Sequence, residues 1–306
     1  MDFKNYLVPG KTGLLIGIGG VSMSPLAEVL HDAGLDIRGS DMAESSNTLT
    51  LRERGIPIHI GHSADNVTDD ISFVIRTAAV HDDNPEVHEA HRRGIPVFER
   101  TQAWGALMRG YQNALCISGT HGKTTTTSMC THIMMAAEKD PTVMIGGTLP
   151  LLKACHRVGK GNTIIMESCE YYNSFLALNP TIAVVLNIEA DHLDFFKDLE
   201  DIKHSFRCFA ERVPAETGTV IANYDDANTM DALRGIARKV ITFGLNAKAD
   251  VYAQNIVHRG SVSEFDIYHR GNYFARVTLH VPGIHNVRNA LAATAAAIVL
   301  LSLIHI

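Results

Sequence analysis

Residues 118 to 127 read Ser-Gly-Thr-His-Gly-Lys-Thr-Thr-Thr-Thr, between the apolar stretch Ala114, Leu115, Cys116, Ile117 and a helix-compatible segment. A chain that runs from a buried strand through such a turn into a helix is held to an α/β arrangement with a phosphate-cradling loop. Gly119 and Gly122 let backbone N–H groups face inward, with Thr120 and His121 between them. Lys123 would neutralise terminal phosphate oxygens, and the hydroxyl of Thr124 or Thr125 would face a magnesium ion. The expected ligand is ATP. The standard nucleotide loop has a glycine six positions before its lysine; here that position is Ile117, so the loop is a shortened form. The competing reading is a polar turn that caps a buried helix and leaves Lys123 in solvent.

Bulk composition narrows the class. At 306 residues, with 46% apolar and 20% charged side chains, the chain is long enough for two soluble domains. A net charge of −6 gives no basic field for nucleic acid. The five cysteines, Cys116, Cys130, Cys155, Cys169 and Cys208, are odd in number and contain no Cys-x-x-Cys pair, which predicts reduced thiols and a cytoplasmic location. The apolar run from Gly13 to Val21 is broken by glycines and lacks a secretory cleavage context. That from Ala290 to Ile304 falls short of the ~20 residues that cross a bilayer, so a buried core helix and no membrane insertion are expected.

The first hundred or so residues repeat the strand-turn-helix theme. Residues 13 to 18 read as a buried parallel strand, followed by Gly19, Gly20 and a helix carrying Leu26, Val29 and Leu30. Ser22 stands where a dinucleotide fingerprint would have its third glycine. Asp41 follows the strand Asp36 to Ser40, where an acidic side chain can accept ribose or base hydrogen bonds, or cap a helix. Strands at 57 to 60, 71 to 76 and 96 to 98, with a helix from Pro85 to Arg93, complete an α/β domain with a parallel sheet. The domain limits are expected at 1–111 and 112–306. Two phosphate-type turns imply two different nucleotide-bearing ligands.

Carboxylates past the ends of later strands suggest metal chemistry. Asn162 to Met166, read as the second strand of the loop domain, leads to Glu167, the first metal candidate, while Glu170 either supports it indirectly or is solvated. The strand Thr181 to Leu186 leads into Asn187 and then Asp191, His192 and Asp194, a second ion position with His192 as a neutral imidazole ligand. Two magnesium ions would suit phosphoryl transfer, which is mostly positioning and charge neutralisation. The pair His285-Asn286, before an alanine-rich helix, reads as an N-cap on its own.

Taken in order, several blocks resemble the Mur ligase family of bacterial peptidoglycan synthesis: Gly17 to Ala27, Gly39-Ser-Asp41, Asn84-Pro-Glu86, Gly119 to Thr126, Glu167 with Ser174-Phe-Leu176, Asn187 to Asp194, and Gly283 to Ala293. The resemblance implies a Rossmann-like domain that binds a UDP-sugar and a central P-loop ATPase-type α/β domain. It further implies a ligation in which the lactyl carboxylate of UDP-N-acetylmuramate attacks the γ-phosphate of ATP, and the amine of L-alanine then displaces phosphate from the acyl phosphate. By matching position, Lys123 would hold the β- and γ-phosphates, Thr124 and Glu167 one magnesium and His192 the second, while Asn286 and Asn289 would meet adenine. Gly19, Gly20, Ser22 and Met23 would surround the UDP-sugar diphosphate, and Asp41, His62 and Thr77 would line the uridine side. Cys169 departs from the acidic residue of many relatives, and Glu170 would compensate.

The family design has a third domain, which the resemblance implies is missing here. Leu301 to Ile306 can be encoded by the end sequence of a transposase sequencing adapter, so these residues are expected to be a non-native tail, and little or no ligation is expected of the 306-residue product alone. Sibling ligases, adding D-glutamate or a recycled tripeptide, and a non-catalytic UDP-sugar-binding module are the alternatives.

Overall fold

The apolar runs of the first unit, Met1–Gly110, form five short strands: β1 (Thr12–Ile16), β2 (Asp36–Asp41), β3 (Ile58–Ile60), β4 (Ile71–Arg76) and β5 (Val97–Glu99). They pair in parallel in the order β3-β2-β1-β4-β5. The order reverses beside β1, so the turn after β1 opens at a topological switch point, where open α/β sheets bind ligands. Crossovers are made by α1 (Ser24–Asp32), α2 (Ser46–Glu53) and α3 (Pro85–Arg92), and α4 (Arg100–Met108) closes the unit. Leu14, Ile16 and Val74 bury one face against Val87 and Ala90 of α3. Phe3, Phe73 and Phe98 meet edge to face, Phe3 lying 5.1 Å from each of the other two rings. Gly13 leaves room for that cluster, because a Cβ there would lie 2.2 Å from the Phe73 ring. The computed structural model describes residues 2–77 and 79–301.

The second unit, Tyr111–Ile306, is built on one ten-stranded sheet. Its strands are β6 (Asn113–Ser118), β7 (Thr142–Leu149), β8 (Ala154–Arg157), β9 (Thr163–Glu167), β10 (Ile182–Val185), β11 (Thr219–Asn223), β12 (Lys239–Gly244), β13 (Val251–Arg259), β14 (Val262–His269) and β15 (Asn272–Leu279). The spatial order is β15-β14-β13-β12-β11-β10-β6-β9-β7-β8, parallel from β7 to β13 and antiparallel at both edges. Among the described residues its α-helices are α5 (Lys123–Ala136), α6 (Leu199–Glu211), α7 (Ala227–Ala232) and α8 (Ile284–Leu300). Ala290, Ala292, Ala293, Ala295 and Ala296 of α8 are buried in the core with Leu115, Val184, Ile221 and Ile241 of the strands. Methyl side chains let this helix lie close to the sheet. Phe206 and Phe209 of α6 pack with Phe175, whose ring stacks on Phe209 at 4.6 Å.

Two expectations need correction. The segment expected at 162 to 166 is β9, which begins at Thr163 and is the fourth strand of its unit in chain order, not the second, because β7 and β8 intervene. Gly146 and Gly147 inside β7 hide it from a propensity reading. His285-Asn286 does not cap α8: the N-cap is Gly283, and Asn286 donates back to the Pro282 carbonyl at 2.6 Å. The expected core helix is α8, while residues 302 to 306 of the supposed tail lie outside the described residues. Among the described residues no helix is long and apolar enough to cross a membrane.

Candidate functional site

The loop between β6 and α5 is shaped by two glycines that no other residue could replace without strain. Gly119 has φ +144° and backs onto the end of β10, where a Cβ would lie 2.8 Å from Leu186 Cβ. Gly122, the N-cap of α5, has φ +86° and sits against Asn289, whose Oδ1 would be 2.7 Å from an added Cβ. Asn187 clamps the span between them: its Oδ1 accepts from the His121 N–H at 2.8 Å, its carbonyl from the Thr120 N–H at 3.1 Å, and its Nδ2 donates to the His121 carbonyl. The Thr120 hydroxyl in turn accepts from the Glu189 N–H. The N–H groups of Thr120 and His121 are thus committed to the fold. Those in the first turn of α5, at Lys123, Thr124 and Thr125, lack intrahelical acceptors and are the ones free to meet an anion.

Lys123 is not in solvent. Its Nζ donates to the carbonyls of Gly119 (2.6 Å) and Thr120 (3.2 Å) and lies 3.1 Å from both carboxylate oxygens of Glu170. The Glu170 side chain is 3% exposed, which removes the solvated reading of that residue. His192 approaches the same carboxylate, Nε2 to Oε1 at 3.9 Å. His192 has φ +51°, its N–H is held by Asp191 Oδ1 at 2.7 Å, and its ring stacks on Tyr171 at 4.4 Å. The Tyr171 hydroxyl donates to Asp194 at 2.5 Å; that bond, then the neighbouring Tyr172, raises its pKa and keeps its proton on. Cys169 is exposed, and its carbonyl accepts from the Ser174 hydroxyl and the Phe175 N–H.

Thr124 and Glu167 come together, the threonine hydroxyl donating to Glu167 Oε1 at 3.0 Å. The other carboxylate oxygen accepts from the Gly146 N–H at 2.7 Å. A Cβ on Gly146 would lie 2.7 Å from that oxygen, so β7 supplies a glycine that the sequence reading did not single out. Among the described residues no group of three or more His, Cys, Asp or Glu is arranged to hold a metal. A hydroxyl and one carboxylate still suit magnesium, which takes few protein ligands and completes its shell with phosphate oxygens and water.

Next to the loop a cleft of 460 Å³ opens at the carboxyl ends of β10, β11 and β12. Asn187, Asn223, Phe243, His285, Arg288 and Asn289 are among the residues that line it. Asn289 donates to Asn286 Oδ1 at 3.1 Å, so the two asparagines form one polar face, though only Asn289 is among the lining residues. Asn223, Phe243 and Arg288 were not anticipated. They lie far apart in sequence: the pairing of β11 with β12 brings Asn223 and Phe243 together, and the packing of α8 on the sheet adds Arg288.

In the first unit the turn after β1 has Gly17 at φ +76°. The Gly19 N–H donates to Asp41 Oδ2 at 2.8 Å, and Asn47 Nδ2 donates to the Gly19 carbonyl at 2.8 Å. Asp41 therefore ties the glycine turn, and the cap of α2 is Ser45 instead. The hydroxyl of Ser22 accepts from Arg100, and its carbonyl from Trp104 Nε1 at 3.2 Å. Met23 is buried at the N-cap of α1, Gly20 donates to the Gly17 carbonyl, and Thr77 stands 3.6 Å from where a Gly17 Cβ would be. His62 joins a buried network: its Nδ1 lies 2.8 Å from Glu86 Oε2, which also accepts from Ser40 Oγ at 2.7 Å, while Asn66 Nδ2 donates to Oε1 at 2.6 Å. Glu86 is fully buried, and three donors offset its desolvation.

Comparison with known proteins matches the Mur ligase middle domain to residues 117–297 and the Mur ligase family catalytic domain to residues 15–112. The UDP-N-acetylmuramate–L-alanine ligase of Agathobacter rectalis is 46% identical over 281 residues, 92% of this chain and 61% of that protein. This chain thus spans about three fifths of the length of that relative. The solved UDP-N-acetylmuramate-alanine ligase of Thermotoga maritima is 30% identical with a TM-score of 0.78, covering 94% of this chain and 65% of that one. The UDP-N-acetylmuramate:L-alanyl-γ-D-glutamyl-meso-diaminopimelate ligase from Neisseria meningitides is 25% identical with a TM-score of 0.83, covering 95% of this chain and 94% of that one.

Proposed function

Because the chain belongs to the Mur ligase family, we propose that it serves the ATP-dependent joining of L-alanine to the lactyl carboxylate of UDP-N-acetylmuramate in the cytoplasm. The observation that carries this is the meeting of Lys123, Thr124 and Glu167 at the carboxyl ends of adjacent parallel strands, beside a cleft of nucleotide size. In this reading the first-turn N–H groups of α5 and the Lys123 ammonium bind the β- and γ-phosphates. Asn289, with Asn286 behind it, meets the adenine in the cleft. Magnesium, held by Thr124 and Glu167 with His192 at a second position, would supply divalent charge against the phosphate oxygens. The lactyl carboxylate attacks the γ-phosphorus, the bridging P–O bond to the β-phosphate breaks and ADP leaves, giving an acyl phosphate; the alanine amine then adds to the acyl carbon, loses a proton and expels inorganic phosphate to leave the amide. Gly19, Gly20, Ser22 and Met23 would take the diphosphate of the sugar nucleotide, with Asp41, His62 and Thr77 toward uridine.

Relatives named for L-alanine ligation at this identity favour alanine over the tripeptide added by the Neisseria protein. Isothermal titration of Mg-ATP and of UDP-N-acetylmuramate into the chain tests both sites. Binding of both is expected, with ATP binding lost in Lys123→Ala and the sugar nucleotide unaffected. A chain that binds the sugar nucleotide but not ATP would be a binding module and would end the catalytic reading. Where phosphate release is measured, stimulation by D-glutamate or the tripeptide in preference to L-alanine would move the substrate to a sibling ligase.

A further inference from the structure

The lysine of the phosphate loop is already saturated. An ammonium has three protons to donate, and Lys123 Nζ has four oxygens within 3.2 Å: two loop carbonyls and both oxygens of Glu170. Lys123 is 15% exposed and Glu170 3%, so water does little to screen the pair. A polyphosphate reaching α5 therefore meets a lysine whose charge is neutralised by a fixed carboxylate, and that carboxylate also repels the incoming anion. Glu170 is held in place at the N-cap of the short 3-10 turn Tyr171–Ala177, and its carbonyl accepts from the Asn173 N–H at 2.9 Å. The imidazole of His192 also approaches the carboxylate, its Nε2 lying 3.9 Å from Oε1. Nothing in the phosphate-loop pattern calls for a buried acid here.

We propose that Glu170 is a positioning residue that parks Lys123, and that the lysine exchanges this carboxylate for the terminal phosphates when the nucleotide binds. The inference rests on the reading of this cleft as an ATP site. Glu170 then acts as a valence filter: the exchange is favourable only for a ligand whose phosphate chain is long enough to reach Lys123, and a monophosphate leaves the pair intact. When Lys123 departs, the carboxylate keeps His192 as its neighbour, so the same side chain links the lysine to the second proposed metal position.

The test is the affinity of ATP, ADP and AMP, measured calorimetrically without divalent ions, for the wild-type chain and for Glu170→Gln, which keeps the shape and removes the charge. The expected result is ATP bound about tenfold more tightly by the variant, ADP by less, and AMP unchanged. The gain should vanish when both proteins also carry Lys123→Ala. An equal change for all three nucleotides, or no change, would overturn the filter and leave Glu170 a structural residue. If the variant does not fold, the wild-type complex with ATP answers: Lys123 Nζ should lie closer to phosphate than to Glu170, and an intact 3.1 Å pair beside bound ATP would overturn the proposal. Failure of the wild-type chain to bind any of the three nucleotides would instead overturn the ATP-site reading itself.

Discussion

Gly146 shows how one absent side chain can set the chemistry of another residue. Its N–H holds one oxygen of Glu167 while Thr124 holds the other, and a methyl group would occupy the space of the carboxylate. Gly146→Ala should therefore displace Glu167 and weaken magnesium-dependent ATP binding by about tenfold, the scale on which supporting contacts tune a metal site. Titration with and without magnesium checks this: affinity without the ion should be unchanged, and equal losses in both conditions would point to general distortion. The sequence made Lys123, Thr124 and Glu167 legible because the first two open the helix that follows a short glycine loop after the buried strand β6, and Glu167 is the last residue of the apolar strand β9. It did not reveal Gly146 or the double clamp by Asn187, since both act across strands with no local signature.

Among the elements, α3 shows a division of labour within eight residues. Asn84 caps it, accepting from the N–H groups of Glu86 and Val87, and Pro85 opens it with a preset φ. Glu86 points its carboxylate to Ser40, His62 and Asn66, whereas Glu89 is held by Arg92 and Arg93. The Arg92 hydrogen bonds first, then that of Arg93, hold the Glu89 carboxyl down at about 2, against an ordinary 4.5. Because the folded value is the lower one, its stabilisation is complete above the ordinary value and disappears as pH falls from about 4.5 through about 2. Urea unfolding of wild type and Glu89→Gln at a series of pH values should show a gap that closes over this window; a constant gap would contradict it. This helix was readable from Asn-Pro-Glu and its apolar spacing. The antiparallel strands β13 to β15 were not: β13 is buried only over its first three residues, β14 alternates buried with half-buried side chains and β15 is mostly exposed, so none has the continuous apolar run that marks buried parallel strands.

For the molecule as a whole, each unit has its own sheet, its own core and its own glycine turn at a switch point. The expected consequence is ligand-specific protection in amide hydrogen exchange. Mg-ATP should slow residues 119–127 and 186–192, and UDP-N-acetylmuramate residues 17–24 and 39–41; the opposite assignment would reverse the two sites. The α/β class of both units could be read from the order of apolar runs, but the full width of the larger sheet could not, since only β6, β9 and β10 announce themselves as such runs and the other seven of its ten strands do not. Helix α8 joins its alanine face to the wall of the cleft beside the phosphate-loop turn, which His285, Arg288 and Asn289 line. That helix presents Asn289 to Gly122 on one side and small methyl groups to the strands on the other. Its thickness thus acts as a spacer, and enlarging a single buried methyl such as that of Ala295 should shift the wall that carries Asn289 relative to the loop, which under the proposed ATP reading gives selection or a designer a way to retune ligand preference without touching any lining group.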